Sequence, residues 1–338
     1  MTKSLLVVAG SGRSGTSLFT GLAGRLGYHI PQPEVVADTS NPRGFGEPRW
    51  AVDFHNALLR SVGVGPEDAR PQAWSLAADA AARDSAYTDL RGWLAEQFAV
   101  SDRVVVKDPR LGWFLELYAK AAGDLSARLS VVTMVRHPAA CIKSRELAYG
   151  TGSTAATRTA GWLNVMLFTE LHTRELSRAL VGYDELLGDW RSTMRTASAR
   201  LDLPLLDVEP ERLAEADTLV DPSLRRAAPA WSELGVRPDL QAVAERAYAA
   251  LRDLARSDHD NTAGDPAELL AALDAVREDY CDYYANAESV ARASIAAARN
   301  AERRKAERRI AEAERAGRIT PGRIARGVRS RLVRGASR

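Results

Sequence analysis

The sequence predicts an α/β fold: a parallel sheet flanked by helices, followed by a C-terminal helical extension. Three observations lead there. Short apolar runs rich in β-branched residues alternate with segments of helical periodicity over residues 5–200. The first run leads straight into a glycine-rich loop. From about residue 286 the composition shifts to Ala, Arg and Glu.

Leu5–Ala9 reads as a buried strand ended by Gly10. Thr16–Leu26 reads as a helix, with Leu18, Phe19, Leu22 and Leu26 on one face and Gly27 as its stop. Pro31 to Arg49 holds Pro31, Pro33, Pro42, Gly44, Gly46 and Pro48, a long irregular connection of the kind that carries function in compact domains. Val104–Val106 form a second short strand ending at Lys107, and Leu129–Val135 a third ending at Arg136. Residues 138–148, 155–178 and 184–200 are expected to be helical, with a weaker strand over 179–183. Asp184 is expected to cap its helix, and Trp162 and Asn164 read mainly as core residues of the long helix. Residues 286–316 read as an exposed helix supported by pairs such as Glu302/Lys305 and Arg308/Glu312, ended by Gly317 and Pro321. The expected division is a main domain over 1–285 and a charged extension over 286–338.

Composition excludes several classes. With 46% hydrophobic and 27% charged residues in a chain of 338, a sizeable core is available and global disorder is excluded. Two cysteines, Cys141 and Cys281, cannot build a disulfide framework, a zinc cluster or an iron–sulfur site. The five histidines are scattered, so no metal is expected. No apolar run approaches the ~18 residues of a spanning helix, and the N-terminal apolar stretch is too short for a signal peptide; the chain reads as cytoplasmic. Net charge is +2, yet Glu302–Arg338 holds thirteen Lys/Arg against four Glu, which leaves the body acidic. A nucleic-acid partner is not expected. Ile324, Val328 and Leu332, spaced among arginines, make a short basic amphipathic pattern. It reads as a solvated extension, a contact with the inner face of a membrane, or a contact with a partner. Oligomeric state is not specified.

The first strand runs into Gly10-Ser11-Gly12-Arg13-Ser14-Gly15-Thr16-Ser17 and a helix start. Glycines let backbone N–H groups converge, and the helix N-terminus adds partial positive charge, so this is an anion cradle. The amides of Gly12 to Thr16 and the hydroxyls of Ser14, Thr16 and Ser17 are its donors. The loop is similar to a Walker A motif, with Gly10, Gly15 and Ser17 in place, but Thr16 stands where an NTPase keeps lysine. The cation is instead Arg13, inside the loop. The cradle suits a phosphate-like group other than a magnesium triphosphate. A second site follows the third strand, in Val135-Arg136-His137-Pro138 and a helix bearing Ser144. Ligands bind at the carboxyl ends of parallel strands, so Arg136 is expected on the same edge as the loop. Ser144 lies about two turns further on. Arg136 and Ser144 together can grip a second phosphate.

Two anion sites on one edge without a Walker lysine resemble the PAPS-dependent sulfotransferase superfamily, PAPS being 3′-phosphoadenosine 5′-phosphosulfate. Its 5′-phosphosulfate loop is similar to Gly10–Ser17, and its 3′-phosphate segment to Arg136–Ser144. Three further stretches match the bacterial branch: Asn41-Pro42-Arg43-Gly44-Phe45-Gly46-Glu47, Lys107-Asp108-Pro109-Arg110 and Tyr183-Asp184-Glu185-Leu186-Leu187. The ordered set spans residues 4–210. Arg13 replaces the loop lysine of the cytosolic eukaryotic branch, and that branch's C-terminal R-K-G segment has no clear counterpart.

The resemblance implies a P-loop-like sheet and metal-independent, in-line transfer of a sulfuryl group from PAPS to a hydroxyl. The acceptor would be a carbohydrate, glycolipid or small molecule, and adenosine 3′,5′-bisphosphate is left behind. Arg13 and the loop amides are expected to meet charge growing on the leaving phosphate. Lys107 is the best second cation, or else a strand-end lysine paired with Asp108. Glu47 is the first choice of general base, or else a surface carboxylate paired with Arg43 or Arg49. Asp108 is the second candidate, or else orients Lys107 or Arg110. His55 and His137 come third. The competing readings are a small-molecule P-loop kinase and a non-catalytic module that binds nucleotide or glycolipid.

Overall fold

A computed structural model describes residues 3–38, 41, 44–150, 152–221, 228–260 and 265–315. The fold is mixed α/β: a four-stranded parallel sheet of order β2-β1-β3-β4, flanked by helices. Its strands are β1 (Lys3–Ala9), β2 (Arg103–Lys107), β3 (Ala127–Val135) and β4 (Ser177–Gly182). Register runs Val8↔Lys107, Ala9↔Thr133 and Val135↔Gly182, so the strands end nearly level at one edge.

Helix α1 (Thr16–Arg25) follows β1. Helices α2 (Arg49–Ser61), α3 (Ala73–Ala81) and α4 (Asp84–Val100) precede β2. A 3₁₀ turn (Leu111–Phe114) and α5 (Leu115–Asp124) link β2 to β3; α6 (Pro138–Tyr149) and α7 (Ala155–Thr173) link β3 to β4. After β4 come α8 (Tyr183–Gly188), α9 (Trp190–Leu201), α10 (Pro210–Asp217), α11 (Trp231–Leu234), α12 (Pro238–Asp260) and α13 (Pro266–Arg315).

Strand alternation builds two cores. Leu5, Val7, Val104, Val106 and Val131 pack under α2–α5 and α7. Leu6, Val8, Val105, Val132 and Val181 face the other way, toward α1 and α8–α10. Both faces are covered, so β1 is apolar and buried from Leu5 to Ala9, while β3 buries Ser130 and Thr133 among its apolar residues. The β4 edge strand packs against α9 and α12.

The ends of β1, β2 and β3 match expectation, and α1 and α6 match to within a residue; β4 stops at Gly182, one residue before the expected Tyr183, and the later helices differ more. The helix expected over 155–178 stops at Thr173, because Ser177 and Arg178 pair with Ser130 and Val131 and lengthen β4. Ladder pairing there overrides helical preference. The segment 184–200 breaks at Asp189, whose carboxylate accepts from the Ser192 amide and caps α9. Asp184 therefore lies inside the first turn of α8 and is not the cap. The C-terminal helix begins at Pro266, well before 286.

The chain divides into two compact units, Met1–Cys281 and Asp282–Arg338. The first contains the sheet. In the second, residues 282–315 are helical and mostly exposed. The amphipathic stretch around Ile324, Val328 and Leu332 lies outside the described residues, as do Pro42, Arg43, Gly317 and Pro321. Among the described residues no helix is long and apolar enough to cross a membrane.

Candidate functional site

In the order β2-β1-β3-β4 the chain leaves β1 for one side of the sheet and β3 for the other. Loops diverge at such a switch point and open a crevice at the carboxyl ends of the strands. The Gly10–Ser17 loop and the segment from Arg136 line it.

The loop is shaped by backbone that most residues avoid. Gly10 and Gly15 take φ values of 126° and 98°. A Cβ on Gly15 would collide with the Tyr183 ring, so α8 packs directly on bare backbone. Arg13 also has positive φ, 71°, which costs a non-glycine residue about 1–2 kcal/mol. That conformation carries its side chain across the crevice, where Nε donates to Ser144 Oγ at 3.0 Å. Ser14 is fully buried, and its hydroxyl has no hydrogen-bond partner among the described residues.

Arg136 closes the other side. Its Nη1 donates to the Arg13 carbonyl at 2.8 Å, and its guanidinium lies 4.1 Å from the centre of the Tyr183 ring. Arg13 thus touches both Arg136 and Ser144, joining the loop after β1 to the loop and helix that follow β3, more than a hundred residues on. His137 is spent on structure. Its Nδ1 accepts from the Ala139 amide to cap α6, and its Nε2 lies 3.1 Å from Glu245 on α12. Trp231 also donates to Glu245, and Tyr248 meets the His137 ring edge-on. These residues surround His137 from the segment after 210, where no motif pointed to them. Cys141 is buried nearby, and burial pushes its thiol up to about 11 despite Arg136 and Arg13.

A second cluster adjoins the start of α1. Lys107 Nζ donates to Glu47 Oε1 at 2.5 Å, the Phe45 carbonyl at 3.1 Å and Ser17 Oγ at 3.2 Å. Lys107 therefore pairs with Glu47 and not with Asp108. The reason is strand geometry: successive residues point to opposite faces. Asp108 turns the other way, where it is fully buried between His55 (Nδ1 to Oδ2, 2.7 Å) and Arg110. His55 bridges on to the Tyr118 hydroxyl at 3.1 Å. Burial alone would raise the Asp108 carboxyl; the His55 hydrogen bond and charge, with Arg110, outweigh it and hold the carboxyl below its ordinary 3.8. Asp108 and His55 form an internal brace, while Glu47 sits beside the loop.

Glu67 and Arg145 were not anticipated. Glu67, between α2 and α3, brings Oε1 to 3.2 Å from the Gly12 amide, and the Arg145 guanidinium of α6 meets the same oxygen. No local pattern marked Glu67, while Arg145 adjoins the singled-out Ser144. Trp162 and Asn164 are core residues, as expected; Asn164 Nδ2 donates to the carbonyls of Asp68 and Arg70.

The crevice suits a ligand with two anionic ends. Arg13 and the orphaned Ser14 hydroxyl lie on one side and Arg136 with Ser144 on the other, groups that can pair with anions, while the Gly12 amide is held by Glu67. Among the described residues no three His, Cys, Asp or Glu side chains gather as metal ligands.

No family model matches the chain. None of the curated proteins matches it. Solved structures do. The sulfotransferase domain of the Synechococcus PCC 7002 olefin synthase is 20% identical with a TM-score of 0.41, covering 72% of this chain and 93% of that domain. The sulfotransferase domain from the curacin biosynthetic pathway is 16% identical with a TM-score of 0.39, covering 72% of this chain and 96% of that domain.

Proposed function

We propose that this chain transfers a sulfuryl group from 3′-phosphoadenosine 5′-phosphosulfate to a hydroxyl of a carbohydrate, glycolipid or small molecule, leaving adenosine 3′,5′-bisphosphate. The observation that carries this reading is the meeting of Arg13, Arg136 and Ser144 at the switch point, beside a loop that has Thr16 in place of the Walker lysine. One nucleotide with a phosphate at each end of its ribose fits two adjoining anion seats.

In this reading the amides of Gly12 to Thr16, the hydroxyls of Ser14, Thr16 and Ser17, and Arg13 hold the 5′ end. Arg136 and Ser144 hold the 3′-phosphate. The donor supplies the activated sulfuryl group. As the acceptor oxygen bonds to sulfur, the sulfur–oxygen bond to the 5′-phosphate breaks and the hydroxyl proton passes to Glu47. Protonation weakens Glu47's hold on Lys107, 2.5 Å away. The ammonium then turns toward negative charge growing on the leaving oxygen, where fixed cations and amides stabilise it most. Asp108, enclosed by His55 and Arg110, positions the Lys107–Arg110 turn and is not the base.

A thermal-shift comparison of adenosine 3′,5′-bisphosphate, ATP with magnesium, and NAD tests the reading. A ligand at 100 times its Kd stabilises by about 2.7 kcal/mol, so a shift confined to the bisphosphate is expected. A shift confined to ATP with magnesium would make the chain a kinase.

A further inference from the structure

The Glu67 carboxylate lies against the glycine-rich loop. Its Oε1 accepts from the Gly12 amide at 3.2 Å and lies 3.5 Å from Ser11 Oγ. A Cβ on Gly12 would meet Glu67 Oε1 and Arg145 Nη1, both at 3.2 Å, so these two groups lie directly over the loop. Their side chains are only 10% and 22% exposed. Arg145 follows Ser144 on α6 and has the cations Arg13 and Arg158 among its neighbours. Burial, with the repulsion of Arg158 and Arg13, lowers its guanidinium to about 10, so it stays charged at neutral pH.

The backbone around Glu67 is tied down. The Pro66 carbonyl accepts from Trp113 Nε1 at 3.0 Å, the Asp68 carbonyl from Asn164 Nδ2 at 2.7 Å, and the Ala69 carbonyl from the Tyr280 hydroxyl. A Cβ on Gly161 would come within 2.5 Å of the Glu67 carbonyl, so α7 presses directly on this segment. The side chain is therefore the part free to change place.

We infer that Glu67 is an internal competitor for the donor's oxyanion seat, and that Arg145 is a further donor-binding cation, passed to the nucleotide when Glu67 leaves Gly12. The identity of the donor rests on the function proposed above; the exchange rests on the geometry. A carboxylate oxygen and a phosphate oxygen ask the same of an amide at a helix start: one hydrogen bond and a positive field. Both cannot hold the one N–H of Gly12 at once, and Arg145 released from Glu67 regains donors for a phosphate. A loop already held by its own anion binds the donor less tightly, by the fraction of time it is open. The same return of Glu67 helps to expel the product.

Calorimetry on the full chain at fixed salt tests this, titrating adenosine 3′,5′-bisphosphate and, separately, pyrophosphate. Glu67→Ala is expected to tighten binding about tenfold and Arg145→Ala to weaken it about tenfold. Opposite signs are the signature, because a purely structural ion pair would lose affinity from either side. Should Glu67→Ala unfold, Glu67→Gln keeps the shape without the charge and is expected to tighten binding by less. Unchanged or weaker binding of both titrants by the folded Glu67 variant overturns the exchange. Tighter pyrophosphate binding with no response to the bisphosphate keeps the exchange and removes the sulfonucleotide. Bisphosphate binding that is lost in Arg136→Ala but indifferent to Glu67 does the reverse.

Discussion

Arg136 donates a hydrogen bond to the backbone carbonyl of Arg13 across 2.8 Å, joining the loop after β1 to the loop after β3. The contact takes up one guanidinium nitrogen and fixes the carbonyl of a residue held at positive φ. Arg136→Ala and Arg13→Ala are each expected to weaken binding of adenosine 3′,5′-bisphosphate by about 1.5–3 kcal/mol, the worth of a charge-assisted contact. Arg136→Lys is expected to rescue little, since an ammonium cannot serve the carbonyl, the Tyr183 face and a phosphate at once. Calorimetry decides, and unchanged affinity in both alanine variants would remove the assignment.

Glu47→Gln keeps a partner for Lys107 while losing the ability to take a proton. Turnover is expected to fall by about 10²–10⁴, the usual worth of a positioned acid or base, with nucleotide affinity nearly unchanged. Steady-state kinetics beside calorimetry separates the two effects. Full turnover would exclude Glu47 as the base.

Asp108 makes acid sensitivity readable. Its carboxyl is held below 3.8 in the folded chain, because the His55 hydrogen bond and charge and Arg110 outweigh burial. A carboxyl lowered on folding contributes stability that is full above its unfolded value and lost as pH falls through its folded one. Asp108→Asn is expected to destabilise by about 1–3 kcal/mol at neutral pH. The gap to the parent should hold down to about pH 4 and narrow below it. Thermal unfolding across pH measures this, and a gap that stays constant into strong acid would refute the brace.

Truncation after residue 300 is expected to leave both the unfolding temperature and bisphosphate binding unchanged. Leu273, Val276 and Tyr280, buried residues of α13, precede the cut, whereas Ala301–Ala311 is exposed at every position. A drop in unfolding temperature would show that the tail packs on the body.

Much of the site was legible because its signals are local. Gly10, Gly15 and the helix start at Thr16 form a contiguous pattern, and Lys107 and Arg136 each follow a β-branched run. Glu67 lies in a segment with no periodicity, and nothing in its neighbours points to Gly12. The sequence places Tyr183 at a strand end, yet it opens α8 and backs both Gly15 and Arg136, a role set by where α8 docks. The overlong helix at 155–178 failed for a similar reason: Ser177 and Arg178 obey β3 rather than their own neighbours.

By itself the sequence determined where strands end, where the chain must turn and which residues could carry anion chemistry, because hydrophobic period and glycine placement act over a few residues. Tertiary structure alone decided the pairings. Lys107 went to Glu47 and Asp108 to His55 because adjacent residues at a strand end face opposite sides of the sheet. Glu67 reached Gly12 because α7, Trp113 and Tyr280 hold its backbone against the loop. Such partners are chosen by distance in space, and only a closed fold sets that distance.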